Sequence, residues 1–499
     1  MSLSDDTIEP THAPRPPRPP RADALSWKDE REAVLLGRAA LGGPVYERAA
    51  AIAAAASRDW RHAPAAVARG LRDAAVLASV ERRLVGEAVH GWIRMHRRLC
   101  WLARTEAVGP TLQVWFAEAL AEHEAASPAA LAEMRAALAR AGLDAERVAR
   151  GDELIAAEVA DPVARLGVAL SYPDWMVERV LAAWGPEAGT ALLQAMNRRA
   201  PLVVRANRVR GDRDALAARL QELGIESTPT RLAPDGLVLH THVNVYSLAP
   251  FRDGSMEVQD EGSQLVAEVV APPPRSVVID ACAGAGGKTL ALGATLAGHG
   301  RVIALDVAQH RLTELRQRVR RAGLTNVEVH RVPPEGPPEG MLRGSVRRPK
   351  GGQKGGQKEG QKDGPKGDGG RWEGAERVLV DAPCSGLGVV RRNPETKWRL
   401  GPGDVTELCA KQARILESYA PFVRVGGRLV YATCSVLPEE NDAVMDAFLQ
   451  GHGNFEAVPV KEILGRERAL TMGDGERVRL APHVHDTDGF FAAVVRRRS

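Results

Sequence analysis

Cysteine is scarce in this sequence, and the few cysteines are far apart. There are five in 499 residues, an odd number, with no CxxC pair and no HExxH stretch. This pattern argues against a disulfide framework and fits a protein that works in a reducing cytosol. It also gives a zinc site little support, so we expect no bound metal.

Long apolar runs are absent as well. No stretch of eighteen apolar residues occurs, which argues against a membrane span. The opening MSLSDDTIEP is acidic and lacks an apolar segment, so we expect no secretory signal and a cytoplasmic protein. Aromatic residues make up only 4% of the chain, so broad base-stacking platforms are not expected. The net charge of +4 permits a polyanionic partner but does not demonstrate one.

The length of the chain predicts several domains, because 499 residues exceed what one hydrophobic core holds. Residues 1–24 are rich in Pro and Arg and predict a disordered tail. Residues 25–158 have apolar residues at helical spacing and predict an all-helical domain. In residues 159–255 helices alternate with short strands, which predicts a small α/β module. Its arginines, five of them between positions 198 and 210, could contact RNA phosphates or lie in solvent at a sheet edge.

Residues 256–499 alternate between strand and helix patterns along their whole length. Right-handed crossovers between such strands predict an α/β fold with a doubly wound, mostly parallel sheet. A Gly-, Lys- and Gln-rich insertion at about 333–374 interrupts the pattern. We interpret it as a tolerated flexible surface loop, and a basic arm that tethers RNA is the alternative.

A glycine-rich turn, DACAGAGGKT, follows the first strand of this region. A Walker A loop would need glycine at Cys282, and the dinucleotide fingerprint would need glycine at Thr289, so neither motif is present. Such a turn still lets a ligand approach the backbone, and Asp306, at the end of the next strand, could hold ribose hydroxyls. This arrangement suits S-adenosylmethionine as well as a nucleotide. The alternative is a turn that serves only close packing of helix on strand.

Two cysteines follow strands of the same region: Cys384 in VDAPCSG and Cys434 in YATCSV. Since parallel strands end at one edge of a sheet, both thiols and Asp381 should converge on the ligand pocket. A thiolate can add to C6 of a pyrimidine and so activate C5 for methylation, while the acid hydrogen-bonds the base. This placement does not rank the two thiols as attacking and releasing groups. Cys100 and Cys409 lie in helical patterns, and we expect them to be structural.

At these residues the sequence resembles the RNA cytosine-C5 methyltransferases of the Sun/Fmu (RsmB-like) family, from about Val163 onward. The resemblance is carried by QDEGSQL, DACAGAGGKT, LDVAQHRL, VDAPCSGLGVVRRNPETKW, KQARIL, GGRLVYATCSVLPEEN and HDTDGFF. It implies a Rossmann-like methyltransferase that modifies cytosine C5 in RNA, with 16S ribosomal RNA as the substrate. The stretch ERRLVGEAVHGWIR in the helical region resembles a NusB-like RNA-binding domain. We also expect a monomer.

The resemblance also implies roles for individual residues. Cys434 is implied to be the nucleophile and Cys384 to help resolve the covalent adduct, with Asp381 and Lys288 in the same pocket. The residues implied to bind S-adenosylmethionine are Asp306, Asp381 and the loop Cys282, Ala283, Gly284, Ala285, Gly286, Gly287 and Lys288.

The sequence departs from the family pattern at two places. Ala285 stands where the family usually has proline, which should be a mild change. The third strand, VEVHRVPPEG, has no aspartate where the family has an acid that contacts the adenine end of the cofactor, so either Glu335 or a water replaces it or the affinity for the cofactor falls. The missing acid favours an alternative, a non-catalytic RNA-binding or ribosome-assembly protein that retains the fold. The intact Cys384 and Cys434 argue against that alternative, and the TCS stretch argues against a DNA methyltransferase.

Overall fold

The computed structural model describes residues 30–241, 243–334, 336–337 and 373–499. The Pro- and Arg-rich tail, Glu335 and nearly all of the Gly- and Lys-rich insertion lie outside these residues. The described residues form, in chain order, a helical region, a small antiparallel sheet and a large sheet.

Eight helices make up the first region, and the first seven share one apolar core. They are α1 (Glu30–Ala40), α2 (Pro44–Ser57), α3 (Ala63–Asp73), α4 (Ser79–Ala103), α5 (Val108–Glu122), α6 (Pro128–Arg140), α7 (Ala145–Ala149) and α8 (Gly151–Glu158). The central helix α4 buries Leu84, Ala88 and Trp92 on one side, as their helical spacing predicts. Its helical geometry is interrupted at Met95, where φ is −103° and ψ is 15°.

The small module begins with three helices and continues into a four-stranded antiparallel sheet in the order β2-β3-β1-β4. Its elements are α9 (Pro162–Ala169), α10 (Asp174–Trp184), α11 (Pro186–Met196), β1 (Leu202–Ala206), α12 (Arg213–Glu222), β2 (Ser227–Pro229), β3 (Gly236–Leu239), α13 (Ala249–Arg252) and β4 (Met256–Val258). The pattern LVVRANRVR predicts a longer strand than β1. The strand stops at Ala206 because the carbonyl of Asn207 accepts the N–H groups of Arg210 and Gly211 and forms a turn.

The large sheet contains eight strands, seven of them in the order β10-β12-β9-β8-β5-β6-β7, with β11 paired to β12. Its elements are α14 (Glu261–Val270), β5 (Val277–Asp280), α15 (Gly287–Leu296), β6 (Arg301–Asp306), α16 (Gln309–Ala322), β7 (Val327–Arg331), β8 (Ala375–Asp381), α17 (Thr396–Arg399), α18 (Pro402–Tyr419), β9 (Val423–Thr433), α19 (Asp442–Gly451), β10 (Phe455–Ala457), α20 (Lys461–Leu464), α21 (Arg466–Leu470), β11 (Val478–Leu480), α22 (Pro482–His485) and β12 (Phe490–Arg497). The five neighbouring strands β9, β8, β5, β6 and β7 run parallel to one another. Strand β12 pairs antiparallel with β9, β10 and β11. The predicted α/β, mostly parallel fold is confirmed.

Both faces of the large sheet are buried, because successive strand residues contribute to different cores. Val278 and Leu379 face one core, while Ile279 and Val380 face the other. A strand that is covered on both faces has apolar side chains at successive positions, which explains the stretches VVID in β5 and VLVD in β8. None of the described helices has the length and apolar character needed to cross a membrane.

Candidate active site

The carboxyl ends of β5, β6, β8 and β9 lie next to one another in the sheet and carry the candidate site residues. These strands end at Asp280, Asp306, Asp381 and Thr433, and Cys434 follows directly. The predicted convergence of the acids and thiols on one sheet edge is therefore the arrangement found.

The glycine loop between β5 and α15 is fixed by backbone contacts. Gly284 donates its N–H to the Asp306 carboxylate at 2.8 Å, which ties the loop to the end of β6. Gly286 has a φ of 91°, and a Cβ at this position would lie 2.0 Å from Leu315, so only glycine fits. Ala285 replaces the usual proline, and its carbonyl accepts a hydrogen bond from Arg318 at 2.9 Å.

Asp280 lies under this loop and is almost fully buried. Thr289 donates its hydroxyl to one carboxyl oxygen at 2.6 Å. The other oxygen has no hydrogen-bond partner among the described residues. Burial raises the pKa of Asp280 to about 7, with the nearby charge of Asp381 adding to the effect. Cys282 is held in the same loop, and burial raises the pKa of its thiol, so it stays uncharged and fits a backbone-packing role.

Lys288 and Asp381 form an ion pair at 2.7 Å in the centre of the site. The Lys288 ammonium also lies 5.0 Å from the centre of the Phe490 ring. Burial alone would lower the pKa of Lys288, but the charge and hydrogen bond of Asp381 outweigh it, and the pKa is raised. A negative charge on Cys434 contributes in the same direction, so Lys288 is close enough to stabilise a thiolate there.

Cys384 and Cys434 meet with their sulfur atoms 3.2 Å apart. The hydrogen bond to Cys434 and burial raise the pKa of Cys384, and the charges of Cys434 and Glu440 raise it further. The structure does not bring Cys100 or Cys409 to this pair. Burial raises the pKa of Cys100 to about 12 and that of Cys409 to about 11, as expected for structural thiols.

A fourth acid of the site was not anticipated from the sequence. Glu440 is fully buried and accepts hydrogen bonds from Ser385 and Ser435, the residues that follow the two cysteines. The only sequence signals for Glu440 are the repeated Cys-Ser pair and the PEEN stretch, which two residues separate from the second pair. Among the arginines considered for RNA contact, Arg205 is buried and donates to Gln259 at 2.7 Å, so it is not a surface group.

Several features of the site fit S-adenosylmethionine. A Cβ at Gly284 would meet no atom within 4 Å, so the loop faces open space there. Asp306 accepts one backbone N–H on each carboxylate oxygen, which leaves lone pairs for hydroxyl donors. The orphan oxygen of Asp280 lies beneath the same loop. At the end of β7 the described residues include no acid to replace the missing third-strand carboxylate.

Known protein families match two parts of the chain. A family model described as 16S rRNA methyltransferase RsmB/F matches residues 267–345 and 358–496. The ferredoxin-like domain of RsmF/B-like methyltransferases matches residues 172–246, which include the small antiparallel sheet up to β3.

Individual proteins give the same assignment. The probable ribosomal RNA small subunit methyltransferase B of Bacillus subtilis is 32% identical, over 68% of this chain and 69% of that protein. The Synechocystis protein of the same description is 31% identical, over 66% and 68%. The crystal structure of PH0851 shares the fold, with a TM-score of 0.68 and 22% identity over 91% of this chain and 99% of that chain. A methyltransferase homolog from Pyrococcus horikoshii has a TM-score of 0.53 and 25% identity over 68% and 99%. The chain therefore belongs to the RsmB/F family of 16S rRNA methyltransferases.

Proposed function

We propose that the protein methylates C5 of cytosine in 16S ribosomal RNA, with S-adenosylmethionine as the methyl donor. The observation that carries this proposal is the pair of thiols 3.2 Å apart, beside the Lys288–Asp381 ion pair, at the strand ends of a methyltransferase sheet. Methylation of a poorly nucleophilic ring carbon needs one group that attacks and one that assists release. Two adjacent thiols supply both.

The residues proposed to hold S-adenosylmethionine are the loop from Cys282 to Lys288, Asp306 and Asp381. S-adenosylmethionine bound by these residues would supply an electrophilic methyl group. The open face of Gly284 admits a ligand against the backbone, and Asp306 offers oxygen acceptors for ribose hydroxyls.

The charges around the two sulfurs differ, and this difference supports separate roles. Lys288 is placed to stabilise a thiolate at Cys434, whereas the Glu440 carboxylate disfavours one at Cys384. We therefore assign the attack on C6 to the sulfur of Cys434 and the release step to Cys384. Asp381 is placed to hydrogen-bond the base and to stabilise charge that develops on the ring.

The same pair accounts for release. When the sulfur of Cys434 bonds to C6, the electron pair of the C5–C6 bond becomes available to take the methyl group at C5. The charge of Cys434 is then gone, so the main cause of the raised pKa of Cys384 disappears and its proton can pass to solvent. The Cys384 thiolate accepts the C5 proton, the C6–sulfur bond breaks, and the ring is restored.

The accessory regions complete the proposal. Residues 25–158, which resemble a NusB-like domain, and residues 159–255 are proposed to bind RNA ahead of the methyltransferase domain at 256–499. Arg199 and Arg208 have side chains about half exposed and are candidates for phosphate contact, although each also pairs with an acid of this chain.

The test is transfer of a labelled methyl group from S-adenosylmethionine to 16S rRNA and to the small ribosomal subunit. Cys434→Ala should abolish transfer, and Cys384→Ala should accumulate a covalent protein–RNA adduct that survives denaturing electrophoresis. Cys100→Ala is the matched control, because its sulfur contacts His96 within α4, away from the thiol pair, and it should behave as wild type. Full activity of Cys434→Ala would contradict the assigned role. Wild-type protein that binds the RNA but transfers no methyl group would favour the non-catalytic alternative.

A further inference from the structure

Glu440 collects four hydrogen bonds on its two carboxylate oxygens although it is fully buried. Oε1 accepts from the backbone N–H of Ser385 at 2.8 Å and from Gln412 at 3.1 Å. Oε2 accepts from the Ser385 hydroxyl at 2.6 Å and from the Ser435 hydroxyl. Four donors point at this side chain, so it must accept four hydrogen bonds and donate none. An ionised carboxylate has this property, because it carries no proton to donate. Among the described residues no basic side chain is paired with Glu440, so its charge is balanced by these donors alone.

Three of the four donors belong to the two dipeptides that carry the thiols. Ser385 follows Cys384 and Ser435 follows Cys434, so one carboxylate holds both Cys-Ser units from behind. The two serine hydroxyls lie 3.2 Å apart, the same separation as the two sulfurs. The loop after β8 and the loop after β9 therefore meet through the serine side chains as well as through the two sulfurs.

Glu440 is itself held firmly. Its carbonyl accepts the Tyr431 hydroxyl at 2.6 Å, and Tyr431 is fully buried in β9. The next residue, Asn441, accepts from Thr433 at 2.5 Å and donates to the Ser435 carbonyl at 3.1 Å. The chain thus turns back on the end of β9, and the carboxylate cannot move independently of the strand that carries Cys434.

We propose that Glu440 is a positioning residue for the reaction, which sets the distance between the two thiols and whose charge disfavours a thiolate at Cys384. The effect on rate rests on the proposed methyl transfer, but the effect on the thiols does not.

The charge of Glu440 reaches the Cys384 sulfur and raises its pKa, after the larger effects of the Cys434 hydrogen bond and of burial. The other titratable groups that face the pair are Lys288 from α15, Asp381 from β8 and Tyr431 from β9. Lys288 is paired with Asp381 at 2.7 Å, whereas no basic side chain in the described part of the chain is paired with Glu440.

Glu440→Gln keeps the side-chain shape and removes the charge, so it is the main test. Glu439→Gln is the control, since the adjacent carboxylate lies at the surface and pairs with Arg179 at 3.3 Å. The first measurement is the pH dependence of iodoacetamide alkylation at Cys384 and Cys434, read by mass spectrometry on protein without RNA. Glu440→Gln should shift the Cys384 profile to lower pH, and Glu439→Gln should match wild type.

The second measurement is single-turnover methyl transfer. Glu440→Gln should slow it on the order of 10²-fold, as expected for a misplaced reacting group, while RNA affinity stays unchanged. Ser435→Ala removes one donor and leaves the charge, so it should slow transfer without moving the alkylation profile. An unchanged Cys384 profile in folded Glu440→Gln would overturn the inference, whatever the RNA assay gives. A shifted profile with no methyl transfer even by wild type would overturn only the proposed function.

Discussion

Gly388 is the point at which the loops that carry the two thiols touch through their backbones. Its N–H donates to the carbonyl of Cys434 at 2.9 Å, and its own carbonyl accepts the N–H of Gly489 at 2.8 Å. A Cβ at Gly388 would lie 2.2 Å from the Gly489 oxygen and 2.8 Å from the Cys434 oxygen. We predict that Gly388→Ala slows methyl transfer because these backbones must separate.

The size of the effect follows from those distances. Contacts of a Cβ under 3.0 Å essentially do not occur, so the 2.2 Å contact must open by at least about 0.8 Å. The Gly489 oxygen sets the size of this opening, and the Cys434 oxygen at 2.8 Å must also give way, so the movement reaches the backbone of the proposed nucleophile. A displacement of about 1 Å costs roughly 10²-fold in rate. Backbone strain does not contribute, since Gly388 is not among the residues with positive φ.

The assay is single-turnover methyl transfer at saturating RNA, with the unfolding midpoint measured in parallel. Gly403→Ala is the matched control, because a Cβ there meets no atom within 4 Å and the residue lies in the first turn of α18. It should leave the rate unchanged. A folded Gly388→Ala protein that transfers methyl groups within twofold of wild type would refute the idea that this contact sets the positions of the thiols.

Two further predictions concern buried charges. Lys397 is fully buried and donates hydrogen bonds to two backbone carbonyls and to the side chain of Asn197. Lys397→Met leaves these acceptors without a donor, so it should lower the free energy of unfolding, measured by denaturant titration, by about 2–4 kcal/mol. Lys411→Met, at an exposed lysine, is the control. An unchanged midpoint would contradict this. Because the folded pKa of Asp280 is raised to about 7, the native state binds its proton more tightly, and stability should fall as pH rises from about 4 to 7. Asp280→Asn should remove that component, so between a pH of about 4 and about 7 the free energy of unfolding of the variant should rise relative to wild type by an amount on the order of a few kcal/mol. A pH-independent difference between the two proteins would contradict this.

The large sheet was predictable because its signals are local and repeated. Strands such as β5 and β8 are apolar on both faces, and each is followed by a turn and a helix pattern, so order and class follow without tertiary information. The end of β1 was not predictable, because the LVVRANRVR pattern remains strand-like where the Asn207 turn begins. Arg205 illustrates the same limit, since its burial depends on Gln259, 54 residues away.

The site was predictable to the extent that it lies at strand ends. Asp381 and Cys434 follow parallel neighbours, so chain topology alone places them together. Glu440 was missed because it lies in a loop without a strand or motif of its own. Its contact with Ser385 spans 55 residues and joins loops whose relative position is set by the packed sheet.

The charges near Cys384 and Cys434 differ because of the tertiary structure, and the similar sequences around the two cysteines do not indicate this difference. PCS and TCS each place a cysteine after a strand, and exchanging their roles would change nothing in the local pattern. In the fold, a helix from one side brings the Lys288 ammonium toward Cys434, and a loop from the other brings the Glu440 carboxylate toward Cys384. In the proposed mechanism, a thiolate at Cys384 would therefore lie near the Glu440 carboxylate, and one at Cys434 near the Lys288 ammonium that pairs with Asp381. We propose that these neighbouring charges assign attack to Cys434 and release to Cys384, because both sulfurs are partly buried and contact each other.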